Sequence, residues 1–284
     1  MNETTFQIAR SAAFVASFAL VFTAQSLWPY RRGAHLVSAN WRPNLPLAVL
    51  NTIATALVCG GCLCAAARFA EARSFGLLRL VGAPAPVAIA VTFVALDLAL
   101  WAWHRANHGI GLLWRFHRVH HSDVDFDVST SLRFHAGELL LALPLKMGLA
   151  ILLGAPVAGV LLFEIVFGLF NMMVHGNLRL PARAETALMA VLVLPPAHRR
   201  HHSIERADRN ANFGTVLSAW DRLFGTWRAS RSADAITTGL PGFGAAAAAG
   251  AGPAPTLRRL LTLPFAPLAE APGTGGLERR PDLR

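Results

Sequence analysis

Long apolar runs alternate with short polar stretches along this chain, and the longest runs have membrane length. Three come early, at residues 11–28, 45–67 and 84–103. Each reaches or approaches the ~20 residues a helix needs to cross a hydrocarbon core. The first run has an acidic residue and one basic residue before it and no small-residue cleavage site after it, so it reads as a retained span and not as a removed signal. A second apolar block covers 139–174 and is interrupted by Gly154, Ala155 and Pro156. Two helices of about 17 residues would each reach ~26 Å, a short hairpin that returns the chain to the face it left. Residues 185–194 are too short to span and stop at Pro195 and Pro196, which predicts an interfacial segment.

The polar remainder divides the chain. Residues 1–96 read as N-terminal spans. Residues 97–228 hold the hairpin and nearly all the candidate chemistry. Residues 229–284 contain the low-complexity run "GFGAAAAAGAGPAP" and read as linker and tail, with a short surface helix at 256–268. The glycines at 242 and 244 loosely match a dinucleotide fingerprint, but no strand precedes them.

Only 15% of the 284 residues are charged, and mean hydropathy is +0.44. Soluble domains carry about a quarter charged residues. The net charge of +10 comes almost wholly from arginines scattered between apolar runs. That distribution fits loops facing anionic lipid headgroups and gives no reason to expect a nucleic-acid partner. Arg105, Arg115, Arg118, Arg133, Arg199, Arg200, Arg206 and Arg209 follow the third run, which places that region on the cytoplasmic side, with five crossings and the N-terminus outside. Cys59, Cys62 and Cys64 lie in one apolar stretch with no second pair to complete a zinc site, and membrane packing is the expectation for them.

Histidine changes the picture. His104 and His108 are four apart, one turn of helix. His117, His120 and His121 form H-x-x-H-H, and His198, His201 and His202 repeat it. The hairpin puts all of them, and His175, on one membrane face. Neutral imidazole ligates zinc, copper and iron. One structural zinc needs four ligands, so eight or nine imidazoles exceed one metal and fit two. His135 is a further candidate, and His35, in an early loop, is not. Carboxylates and amides that accept a ligand's second N–H are expected nearby, and Asp97, Glu138, Asn212 and Asp221 are candidates, with Asp123, Asp127 and Asn210 behind them. Asp125 and Asp208 read as solvated loop. A zinc-dependent membrane hydrolase and a non-catalytic metal-binding membrane protein are the rival readings of such a cluster.

The stretches "DLALWAWHRANH", "LLWRFHRVHHSD", "RFHAGE", "HGNLRLP", "PPAHRRHHS" and "NANFGTVLSAWDRLFGTW" together resemble the fatty acid hydroxylase / sterol desaturase superfamily of membrane oxygenases, over about 97–228. The resemblance implies an all-α multi-pass bundle of about four to five spans, with a cytoplasmic histidine-rich cap holding a di-metal site. It implies two ferrous ions, with zinc able to substitute, ligated by His104, His108, His117, His120, His121, His175, His198, His201 and His202. Some members carry a further histidine where this chain has Asn171. Oxygen is the implied co-substrate and a membrane lipid the implied substrate, hydroxylated or desaturated at an unactivated C–H. The chain has no flavin, haem or iron–sulfur motif of its own, so electrons are expected from a separate reductase system. The implied setting is a multi-pass protein of a bacterial inner membrane.

Overall fold

The computed structural model describes residues 2–31, 39, 41–59, 62–124, 126–229, 235–241, 243 and 255–267. His35, Asp125, the alanine-rich run at 244–254 and the end of the tail lie outside these, as do the side chains of Cys59 and Cys62. The described residues are helical, joined by loops and isolated bridges, without a strand.

The first helix, α1 (Glu3–Leu27), starts at Asn2, whose side chain accepts the Thr5 amide at 2.8 Å. Its two ends identify the two ends of the bundle. Phe6 packs in an apolar cluster with Leu63, Ala67, Ala155 and Val157, beside the hairpin turn. Gln25 Oε1 accepts the amides of Val128 and Asn177, both at 3.1 Å, on the histidine side. The chain returns through α2 (Trp41–Cys59) and α3 (Cys62–Ala72). Near the histidines, Trp41 Nε1 donates to Asp127 (3.0 Å) and Asn44 to Ser129 Oγ (2.9 Å). At the far end α3 packs on the hairpin.

The second span expected at 45–67 falls on these two helices. Residues 60–61 between them lie outside the described residues, and neither helix by itself has both the length and the hydropathy of a membrane span.

After α4 (Leu77–Leu80), α5 (Ala85–Gly109) runs from the hairpin end to the histidines, and Pro84 suits its start. The short α6 (Gly111–His117) follows. Then α7 (Ala136–Leu153) descends and α8 (Val157–His175) returns, ~27 and ~28 Å long at 1.5 Å per residue. The turn between them needs glycine. Gly154 has φ +67°, and Gly76, at φ +116°, lies so close that an added Cβ would sit 2.1 Å from the Gly154 nitrogen.

Among the described residues α1, α5, α7 and α8 are long and apolar enough to cross a membrane, four where five crossings were expected. Ile8, Val15, Leu57 and Leu152 are exposed along these helices, as lipid-facing residues are.

The cap continues through α9 (Ala182–Leu188), α10 (Pro195–His201), α11 (Arg206–Arg209), α12 (Ala219–Leu223) and α13 (Leu257–Thr262). α9 buries none of its residues, while Val193 and Leu194 turn inward, so only part of the expected interfacial segment lies on the surface. The described parts of the tail pack on the cap and on α2. Ile204 N donates to Thr237 O and Gly239 N to His202 O, and Leu260 is buried against Leu47 and Val119.

Candidate metal centre

Four stretches of chain deliver the imidazoles. The last turns of α5 present His104 and His108. The end of α6 and the 3-10 turn after it present His117, His120 and His121. The last residue of α8 is His175. The end of α10 presents His198 and His201, with His202 as its cap. The structure brings all nine into two adjoining groups. His104, His108, His117, His121 and His201 form one, and His120, His175, His198 and His202 the other. Within each, one nitrogen per ring lies within 4.8 Å of every other. The rings of His121 and His202 stack at 4.3 Å across the boundary. Eight of the nine are buried, and His104 is half-buried.

Ring orientation is set from outside the cluster. Nδ1 of His104 lies 2.7 Å from Phe213 O, of His201 2.7 Å from Ala211 O, of His120 3.2 Å from Arg133 O and of His175 2.5 Å from Asn171 O. His117 Nδ1 meets a carboxylate, Glu138 Oε1, at 2.8 Å, and Asn107 Nδ2 donates to the same oxygen at 3.1 Å. A carbonyl or carboxylate accepts only from N–H, so these five rings turn a bare Nε2 inward.

Nε2 of His104, His108, His117, His121 and His201 is buried without a protein partner. In the second group Nε2 of His175 lies 3.0 Å from Nε2 of both His120 and His198. Buried acceptors left unmatched are costly. A divalent metal in each group removes that cost, and an all-imidazole donor set fits iron, zinc or copper. The site could hold two metal ions.

Electrostatics point the same way. Burial, reinforced by neighbouring imidazoles, holds His120, His121, His198 and His202 well below the ordinary histidine value. Burial lowers His201 to about 3 in spite of its bond to Ala211 O. Neutral imidazole is the ligating form. Apolar rings wall the cluster. Phe134 stacks on His120 at 4.2 Å, Phe126 lies 4.8 Å from His202, Phe213 5.3 Å from His108, and Trp114 5.0 Å from His108.

The other candidates divide by contact. Asp221 takes Phe213 N (2.9 Å), Gly214 N (2.8 Å) and Trp101 Nε1 (3.0 Å), and so fixes the strip of backbone whose Phe213 carbonyl holds His104. Asn212, at φ +56°, donates to Ala197 O and Arg228 O, both at 3.0 Å, and ties down α10. Asn171 touches His175 through its carbonyl, while its side chain donates to Ser131 O at 3.2 Å. Asp97 reaches no histidine; it accepts Trp220 Nε1 at 2.8 Å and Leu217 N at 3.3 Å. His135 joins neither group. Its Nδ1 caps α7 by accepting the Gly137 amide at 3.0 Å, and its ring lies against Phe116. Asp208 is buried and pairs with Arg200 at 2.6 Å, where solvated loop was expected.

Sequence reasoning missed Asn107, Asn44 and Arg133. Arg133 is fully buried, ion-pairs with Asp123 at 3.2 Å and donates to Asn44 Oδ1 at 2.8 Å and Ser122 Oγ at 3.1 Å. Its carbonyl orients His120, so this polar knot couples α2 to the second group. An arginine directly before "FHAGE" was the only available signal, and it resembled the many loop arginines.

The Fatty acid hydroxylase family model matches residues 89–226. The chain is 30% identical over 159 residues to ornithine lipid hydroxylase OlsE of Rhizobium tropici, covering 56% of this chain and 47% of that protein. It is 30% identical over 139 residues to alkylglycerol monooxygenase of Homo sapiens, covering 48% and 30%, and 29% identical over 151 residues to that of Danio rerio, covering 53% and 32%. It thus spans less than half the length of these curated relatives. No solved structure matches it.

Proposed function

We propose, for a chain whose residues 89–226 belong to the fatty acid hydroxylase family, that it is a membrane oxygenase that hydroxylates an unactivated C–H bond of a lipid. The observation that carries this reading is the convergence of nine imidazoles from four distant segments into two adjoining, nitrogen-only groups at the end of a membrane bundle. The relatives' names speak of lipid hydroxylation and monooxygenation, and the stretch that matches the family model, 89–226, holds that cluster.

The nine histidines would hold two ferrous ions, which supply oxygen activation and C–H oxidation when bound. The reaction balances as R–H plus O2, two electrons and two protons giving R–OH and water. A separate one-electron protein donor provides the electrons. The chain's own residues do the rest. Phe213, Ala211, Arg133, Asn171 and Glu138 fix five rings so that every Nε2 is aimed before metal arrives, which lowers the ordering cost at binding. Phe126, Phe134, Phe213 and Trp114 exclude water around the rings, which protects a reactive site from side reactions. The arginines that crowd the histidine end support a cytoplasmic orientation of that end, and the setting we propose is a bacterial inner membrane.

The test is a lipid mass-spectrometric comparison of an aerobic host with and without the gene. A lipid gaining one oxygen atom, lost with His120→Ala or His201→Ala while membrane insertion persists, is the expected result. A lipid that loses two hydrogens assigns desaturation instead, and hydrolysed lipids at unchanged oxidation state overturn the reading.

A further inference from the structure

On the lipid-facing side, α5 and α8 flank a shallow, open groove of about 410 Å³. Pro86, Ala90, Phe93 and Val94 form one wall, Leu162 and Val166 the other. Phe93 meets Phe163 edge-on at 5.9 Å beneath it. The walls are wholly apolar, and both helices are membrane spans. Inside a bilayer, hydrocarbon is what such a groove can hold.

The groove shares a helical stripe with one of the nine histidines. Pro86, Ala90, Phe93, Asp97, Leu100 and His104 follow one another at three- and four-residue spacing, so they share a single stripe of α5. That stripe ends at the one half-buried histidine of the nine. Midway, Asp97 holds Trp220 Nε1 and Leu217 N, which lays cap residues across the stripe between groove and metals.

Depth sets the scale. At 1.5 Å per residue His104 stands ~28 Å above Ala85, at the edge of a ~30 Å hydrocarbon core. Phe93 lies ~16 Å below His104, close to the ~15 Å depth of one leaflet. A lipid that keeps its headgroup in the interface therefore presents its first few carbons at the level of the metals, and its methyl end falls at Val94 and Phe93, the end of the groove nearer the metals.

We propose that the α5/α8 groove seats the methyl end of the substrate's hydrocarbon chain, so that it selects chain length while a carbon near the headgroup is oxidised. This rests on the lipid-oxidation reading above. Ala90 is the specificity-determining position, because a larger side chain there narrows the groove just below that end.

The test compares Ala90→Phe, Val94→Ala and a control, Val91→Phe, which is 38% exposed and does not line the groove. Oxidised lipids are sorted by chain length in a host supplied with fatty acids of several lengths, beside metal content and protein level. Each methylene that no longer fits shifts discrimination by roughly tenfold or more. Ala90→Phe is expected to move products to shorter chains and Val94→Ala to longer ones, with metal content and the control unchanged. Independently, a phosphatidylcholine carrying a diazirine at its acyl terminus should crosslink to the peptide around 86–94 in the wild type and several-fold less in Ala90→Phe. Unchanged chain-length profiles with crosslinking elsewhere overturn the groove assignment while leaving lipid oxidation standing. A metal-loaded wild type that oxidises no lipid overturns the function, and the crosslink then decides the groove alone.

Discussion

Glu138→Gln isolates what a single carboxylate contributes to the histidine cluster. Glu138 is buried in the first turn of α7, and its Oε1 takes both His117 Nδ1 at 2.8 Å and Asn107 Nδ2 at 3.1 Å. Glutamine keeps the length and one acceptor oxygen but removes the charge. Of the five Nδ1 contacts that orient ligand rings, this alone ends on an anion; the other four end on backbone carbonyls. Charge-assisted hydrogen bonds are roughly twice as strong as neutral ones. Losing such an outer partner costs about 10–100-fold in metal affinity, or ~1.4–2.7 kcal/mol. Because His117 belongs to the five-histidine group, the loss should fall on one metal of the two. The assay is competition against a graded series of chelators on detergent-purified protein, with metal counted by mass spectrometry and helicity by circular dichroism. One metal should leave about 10–100-fold more easily while the second and the helicity hold. If both metals keep wild-type affinity, or both weaken together, the carboxylate does not act through His117.

Three further outcomes follow from other parts of the fold. The metal-free protein should lose stability in acid: burial holds His120, His121, His198, His201 and His202 below their unfolded value of ~6.5, so the unfolded chain binds more protons, and each costs about 1.4 kcal/mol per pH unit below 6.5, down to about 3 for His201. A melting temperature that stays flat between pH 7.5 and 5.5 contradicts this. Arg133→Met takes the cation from buried Asp123 and should destabilise by ~3–5 kcal/mol, with Asp123→Asn added to the same chain restoring part of it in a thermal-shift cycle. Gly76→Ala drives a methyl group into the Gly154 backbone and should unseat the hairpin turn, seen as early proteolysis at that end, whereas Gly82→Ala, at φ +61° with open space around it, should cost only ~1 kcal/mol of backbone strain.

Much of this arrangement was legible in the sequence, because its signals are local. Apolar run length gave the four long helices, and imidazole spacing gave the three boxes. Gly154 through Pro156 marked the turn that returns His175 to the others. What could not be read depends on contacts between distant segments. Nothing near His135 distinguishes a helix cap from a ligand, since the difference is where its ring finds an amide. Asp97 sits two turns before His104, yet it faces Trp220. Arg133 shows its role only once α2 brings Asn44 beside it.

The strip at 237–239 is stitched to the backbone of His202 and Ile204, and it comes late in the chain. During synthesis the early boxes leave the ribosome well before the later ones and before this closing strip. A half-made chain holds only part of the donor set and lacks one side of the enclosure. The nine imidazoles therefore come together only late in synthesis, after the strip that is stitched to them has been made.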